Sequence, residues 1–267
     1  MQIDQEAMVS DHKSILGMNV DVISPADATA RIENWAKQNK GRYVCVSNVH
    51  MCMEAFDDKS YQQMVNEADM VVADGRPIVW AQSLLGARDA QQVRGMDLML
   101  GTCERAAQTG IPVGLYGGKE KSLMQLSKRL QNRFPGLKIA CAIAPPFRPL
   151  TEEEDQEYVR QINESGARIL FVSLGCPKQE RWMAAHRTQL DCVMLGVGAA
   201  FAFIEGRKLH APRWVQLCGL EWLLRMLIEP RRLWKRYLKH NPRFVLYFAY
   251  QLVVHRKTEM ISALRRK

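Results

Sequence analysis

Residues 168–198 read RILFVSLGCPKQERWMAAHRTQLDCVMLGVG. The apolar run at 168–173 reads as a strand, and the polar turn Ser173–Leu174–Gly175–Cys176–Pro177 ends it. A helical stretch follows over 178–186, and a second apolar run at 192–196 stops at Gly196–Val197–Gly198. Strand, helix and strand in close succession make a βαβ unit, whose two strands run parallel.

The same alternation extends outward from this unit. Strand candidates lie at 43–47, 70–73, 112–116 and 137–142, with helical candidates at 49–56, 78–85, 97–108, 119–134 and 152–165. Thr151 followed by Glu154 is a capping-box signal for the start of the last of these helices. Residues 1–206 are therefore predicted to form an α/β domain, a Rossmann-like and mostly parallel sheet flanked by helices. Almost every strand candidate runs straight into a polar or glycine-rich turn: Ser47–Asn48, Ala73–Asp74–Gly75, Tyr116–Gly117–Gly118, Gly175 to Glu180, and Gly196–Val197–Gly198. In an open parallel sheet, ligands bind beyond the carboxyl ends of the strands, so these turns should share one cleft.

The chain changes character after Gly206. Residues 207–267 hold fifteen Lys/Arg against three Glu, whereas the whole chain carries a net +9, so the preceding residues are slightly acidic. Over 220–239, Trp, Leu and Met interleave with Arg and Lys. That pattern predicts a basic amphipathic helical appendage, divided or kinked at Pro230 and ended at Pro242, with a further amphipathic stretch from 244 to about 257. Such a surface attracts a polyanion, whether anionic lipid, a diphosphate or nucleic acid, and the apolar side chains suit the membrane interface. No run approaches the ~20 apolar residues of a membrane span, so a peripheral attachment is expected. The acidic start of the chain is unlike a signal peptide. Seven scattered cysteines with no Cys-x-x-Cys pair indicate reduced thiols in the cytosol.

Asp74 follows an apolar strand in an Ala-Asp-Gly turn. It is placed either to shape that turn or to take a proton from an attacking hydroxyl. Gln179 sits in a turn that reads equally as a helix start and as a ligand contact, since its amide both donates and accepts. Gly196–Val197–Gly198 lacks the third glycine and the acidic partner of an NAD fingerprint, which counts against a dehydrogenase, and residues 114–120 fail as a P-loop. A nucleic-acid binder would use the basic tail, but no reading motif accompanies it. The six histidines show no ligand-like spacing, so neither a metal site nor a cofactor is expected.

Taken together, the turns above, with Glu67–Ala68–Asp69, Val93–Arg94–Gly95–Met96–Asp97–Leu98, Gly198–Ala199–Ala200–Phe201, Gly219–Leu220–Glu221–Trp222–Leu223 and Glu229–Pro230–Arg231–Arg232–Leu233, resemble the WecG/TagA/CpsF family of bacterial glycosyltransferases over roughly residues 14–240. The resemblance implies an inverting, metal-independent transfer of a sugar from a UDP-sugar donor to a polyprenyl-diphosphate-linked saccharide, on the inner face of the cell membrane, in surface or exopolysaccharide biosynthesis. It implies Asp74 as general base, Ser47, Asn48, Gly117, Gln179 and Gly198 around the substrates, and Arg225, Arg232 and Lys235 as appendage cations completing the site. The chain departs from the family at Gln92, where Arg94 is a substitute for an expected arginine, at Ala202, and at Val46, which leaves Ser47 beside it. The expected partners are the two substrates and an anionic membrane surface, not nucleic acid, with a homo-oligomer left open.

Overall fold

The computed structural model describes residues 11–206 and 221–265. A hairpin of β1 (His12–Ile15) and β2 (Met18–Asp21) comes first, followed by α1 (Pro25–Ala36), β3 (Arg42–Ser47), α2 (Val49–Asp57), α3 (Lys59–Asn66), β4 (Met70–Ala73) and α4 (Arg76–Leu84). The chain continues through α5 (Gly95–Thr109), β5 (Val113–Gly117), α6 (Glu120–Arg133), β6 (Ile139–Ile143), α7 (Glu152–Ser165), β7 (Ile169–Ser173), α8 (Lys178–His186), β8 (Val193–Gly196) and α9 (Ala200–Ile204). Two further helices, α10 (Glu221–Ile228) and α11 (Pro230–Arg265), make up the described part of the tail.

Strands β3 to β8 form one six-stranded sheet in the order β4-β3-β8-β7-β5-β6. Every pairing in it is parallel. Side chains alternate between the two faces along each strand, so both faces need cover. Tyr43, Cys45, Val71, Leu170 and Met194 face a layer built from the hairpin, α2, α3, α4, α8 and α11. Val44, Val46, Val72, Phe171 and Leu195 face the other layer, built from α1, α5, α6 and α9.

The helix starts follow from local chemistry. Thr151 and Glu154 form the reciprocal capping box at α7, as the sequence predicts. Ser24 and Asp58 cap α1 and α3 by accepting backbone N–H bonds. Neither of those helices nor the β1–β2 hairpin is among the elements expected from the sequence. Both hairpin strands are four residues long, β1 with three polar residues and β2 with two, and only docking buries Ile15, Met18 and Val20.

Pro230 divides the tail as expected, standing first in α11. Pro242 does not end the helix: α11 runs through it to Arg265. An interior proline loses one hydrogen bond and crowds the preceding turn, at a cost of about 3 kcal/mol. Packing of the residues that follow Pro242 outweighs this. Phe244 and Phe248 are buried in the core, and Phe56 stacks on Tyr247 at 4.7 Å. Arg243 makes two hydrogen bonds to Asp57, at 2.9 and 2.5 Å. Farther along, the Gln251 side chain accepts from the Leu16 N–H at 2.8 Å and donates to the Ser14 carbonyl at 2.6 Å, which ties α11 to the hairpin. Phe244→Ala should therefore lower unfolding stability by about 3–5 kcal/mol in urea titrations, the cost of emptying a buried aromatic site. A loss below about 1 kcal/mol, the range of a surface substitution, would show that this helix is not part of the cooperative core.

Candidate active site

With all six strands parallel, their carboxyl ends gather on one edge. Helix α2, which follows β3, packs on one face of the sheet, whereas α9, which follows the neighbouring β8, packs on the other. The connections therefore part between β3 and β8, the kind of switch point at which a parallel sheet is expected to form its ligand crevice.

Asp74 stands at this edge, immediately beyond β4. It is half-buried, and its backbone N–H donates to the Ser47 carbonyl at 2.8 Å. The carboxylate Oδ1 accepts from the backbone N–H of Gly95, the first residue of α5, at 3.1 Å. Its own carbonyl accepts from the Gln92 side-chain amide. Asp74 is thus oriented from both ends and faces a helix N-terminus, where the dipole favours negative charge. Gly95 makes this approach feasible, because a Cβ there would lie 3.3 Å from both the Val197 carbonyl and the Val46 side chain. Arg94, at the N-cap of α5, reaches the Gln92 side-chain oxygen at 3.4 Å.

Asn48 caps α2 through its side-chain oxygen, which accepts from the N–H groups of His50 at 3.0 Å and Met51 at 3.2 Å. Its Cβ lies 3.5 Å from the place a Cβ on Gly75 would take, so Asn48 and Asp74 edge the same turn. Ser47 is fully enclosed, and its hydroxyl donates to the Val72 carbonyl at 2.8 Å. It braces β3 against β4 and presents no side-chain surface to the crevice. Gly117 has φ +115°, and a Cβ there would meet the Ser173 carbonyl at 2.5 Å, so this tight turn after β5 admits only glycine. Gly198 accepts a hydrogen bond at its carbonyl from the Ser173 hydroxyl, at 2.7 Å.

Gln179 is buried beside these turns. Its amide nitrogen donates to the Glu180 carboxylate at 2.6 Å and to the Gly196 carbonyl at 3.2 Å, while its oxygen is buried without a hydrogen-bond partner near Gly198. Glu180, which the sequence reading includes in this turn without giving it a role, packs against Gln179. It is completely buried, accepts from the Tyr61 hydroxyl at 3.1 Å, and is pushed above the ordinary carboxylate range chiefly by burial. Cys176 lies 3.4 Å from the same hydroxyl, and burial pushes its thiol up as well. This network sets the orientation of Gln179, and its signal in the sequence is the adjacent Gln-Glu pair at the first turn of α8.

The tail cations fall differently. Lys235 is exposed, with its ammonium 5.7 Å from the centre of the Trp234 ring, and the side chains of Arg225 and Arg232 lie outside the described atoms. The sequence shows no ligand-like histidine spacing and leads to no metal site. The fold brings His240 of α11 to His50 and Glu54 of α2, with ligand atoms of all three within 4.8 Å of one another. His50 and Glu54 stand four apart on one helix, which is a legible spacing, but only the tertiary fold supplies His240.

In a parallel α/β sheet, a carboxylate and a buried amide at the carboxyl edge stand where ligands bind. The family model of the Glycosyl transferase WecG/TagA/CpsF family matches residues 13–258, and the chain belongs to that family. It is similar to an N-acetylglucosaminyldiphosphoundecaprenol N-acetyl-beta-D-mannosaminyltransferase of Bacillus spizizenii, with 28% identity over 209 residues that span 78% of this chain and 79% of the relative. The protein is a glycosyltransferase, which sets aside the dehydrogenase and nucleic-acid readings.

The buried Glu180 generates a pH prediction. Its folded pKa is raised above the unfolded one, so the native state binds more protons than the unfolded state between the two values. Its contribution to stability is therefore present at low pH and lost as pH rises through that window. Glu180→Gln, which cannot ionise, should lose less stability than the parent between acid and neutral pH, as measured by urea unfolding at a series of pH values. Parallel pH profiles for the two proteins would refute the raised pKa.

Proposed function

We propose that the protein transfers a sugar, with inversion at its anomeric carbon, from a UDP-sugar to a saccharide carried on a polyprenyl diphosphate. The placement of Asp74 carries this reading: a carboxylate at a strand end, held by the first amide of α5 at the mouth of the crevice. In the proposed step the acceptor hydroxyl gives its proton to Asp74 while its oxygen forms a bond to the anomeric carbon. The bond from that carbon to the diphosphate breaks on the opposite side, and UDP leaves. The left-handed glycines Gly117, Gly118 and Gly198 let the chain turn tightly at the strand ends where the diphosphate would sit, and Gln179 and Asn48 provide polar contacts for the sugars. Arg94 and the tail cations Arg225, Arg232 and Lys235 offset the charge on the leaving diphosphate, so the scheme routes no step through a metal.

The acceptor follows from the relative, whose name specifies a diphosphoundecaprenol-linked sugar. Such a substrate is anchored in lipid, and the tail is suited to meet it. No described helix is long and apolar enough to cross a membrane, yet α11 exposes Val245, Leu246, Tyr250 and Val253 beside its basic residues. In this reading residues 1–206 bind the nucleotide sugar, while residues 207–267 hold the enzyme on the inner face of the cell membrane and complete the site.

Asp74→Asn keeps the Gly95 hydrogen bond but removes the proton acceptor. Turnover, measured as UDP release with a polyprenyl-diphosphate-linked acceptor, should fall by about 10²- to 10⁴-fold while the UDP-sugar still binds. Near-normal turnover would sink the assignment. Replacing Arg225 and Arg232 together by Gln should lower turnover more than co-sedimentation with anionic vesicles, because the remaining cations and the apolar face still support docking. Equal losses in both assays would reduce the tail to an anchor.

A further inference from the structure

The residues His50, Glu54 and His240 lie where the first turns of α2 meet α11, apart from the proposed proton transfer. The Glu54 Oε1 is 3.8 Å from Nδ1 of His50 and 3.5 Å from Nε2 of His240. Both separations exceed those of ordinary hydrogen bonds, which cluster near 2.7–3.2 Å. Nδ1 of His50 is buried without a hydrogen-bond partner, and the two rings are tilted against each other with centroids 5.0 Å apart. Three donors thus converge without satisfying one another.

Nδ1 of His50 is the ring atom nearest Glu54, and with no hydrogen-bond partner it is left available as a ligand atom. Burial first, and then Arg236, hold His50 down to about 4, and burial likewise lowers His240, shifts that favour the neutral form in which imidazole ligates metals.

We propose that His50, Glu54 and His240 form a binding site for a zinc-class divalent transition metal, which clamps α11 onto α2. Bonds of about 2.0–2.1 Å at a tetrahedral ion put neighbouring ligand atoms roughly 3.3 Å apart, so closure on the ion needs shifts of only a few tenths of an ångström for the two contacts of Glu54. Two imidazoles and one carboxylate suit zinc, whereas magnesium and calcium require mainly oxygen ligands. Arg236 and Lys239 stand close enough to disfavour positive charge at His50, a cost that every divalent ion shares, so selection for zinc rests on the nitrogen ligands. Three protein ligands leave a fourth position for water or an anionic oxygen. The metal would join the helix that starts at the strand ends to the helix that continues the tail, and the proposal stands whatever the donor or acceptor sugar.

The test uses the full chain, stripped with a chelator, dialysed, and titrated separately with Zn²⁺ and Mg²⁺ by calorimetry and thermal unfolding. The expected result is one equivalent of Zn²⁺ with a raised Tm, no response to Mg²⁺, and a tetrahedral cobalt spectrum when Co²⁺ is used instead. His240→Ala and Glu54→Gln should each weaken Zn²⁺ binding by at least about 10-fold, the effect expected when a metal's immediate surroundings are altered. Glu54→Gln is nearly isosteric and partly exposed, so it keeps the test open if His240→Ala fails to fold. Absence of stoichiometric Zn²⁺ binding, undiminished binding in Glu54→Gln, or binding abolished by blocking the thiols alone would overturn the site.

Discussion

Six parallel strands leave two apolar faces that water cannot be allowed to reach, and the rest of the molecule is arranged around that requirement. Helices must cover both faces, and each must leave its strand at the carboxyl edge. The cover parts where α2 turns to one face and α9 to the other. The crevice is a consequence of how the sheet is wound, and the polar turns at its rim are where backbone groups and side chains remain available to a ligand.

Close approach then converts a turn into a site. Gly95 lets the start of α5 reach the ends of β3 and β8, and the Gly95 N–H in turn fixes the Asp74 carboxylate. On the other side of the crevice, Glu180, Tyr61 and Cys176 form a buried polar group that orients Gln179. An ionised carboxylate without water is costly, so Glu180 keeps its proton to higher pH than usual. Burying such a group is unfavourable for stability and gives a defined position to the amide beside it.

The tail is bound to the core by more than charge. Phe244 and Phe248 enter the same apolar layer as Met51 and Met53 of α2, and Gln251 meets the backbone of the β1–β2 hairpin. The helix therefore shares an apolar layer with the sheet while its other side exposes Val245, Leu246 and Tyr250. A helix with one face in the core and one apolar face outward can position an enzyme on lipid without separating from it.

All six sheet strands were legible in the chain because each is a short apolar run, five of them ended by a polar or glycine turn, and most of the helices between them carry ordinary amphipathic spacing. Asp74, Asn48 and Gln179 could be picked out for the same reason, since residues in those turns must lie at the ligand-binding edge. The hairpin and α1 were not legible, because short, partly polar segments acquire their burial only from what docks on them. Pro242 was misread, since its local cost is visible in the sequence whereas the packing of Phe244, Phe248 and Arg243 that offsets it is not. Strand order, the enclosure of Ser47 and Glu180, and the meeting of His240 with His50 and Glu54 belong to the tertiary structure alone. Local chemistry is written along the chain, but a contact between residues 50 and 240 depends on how every intervening element packs.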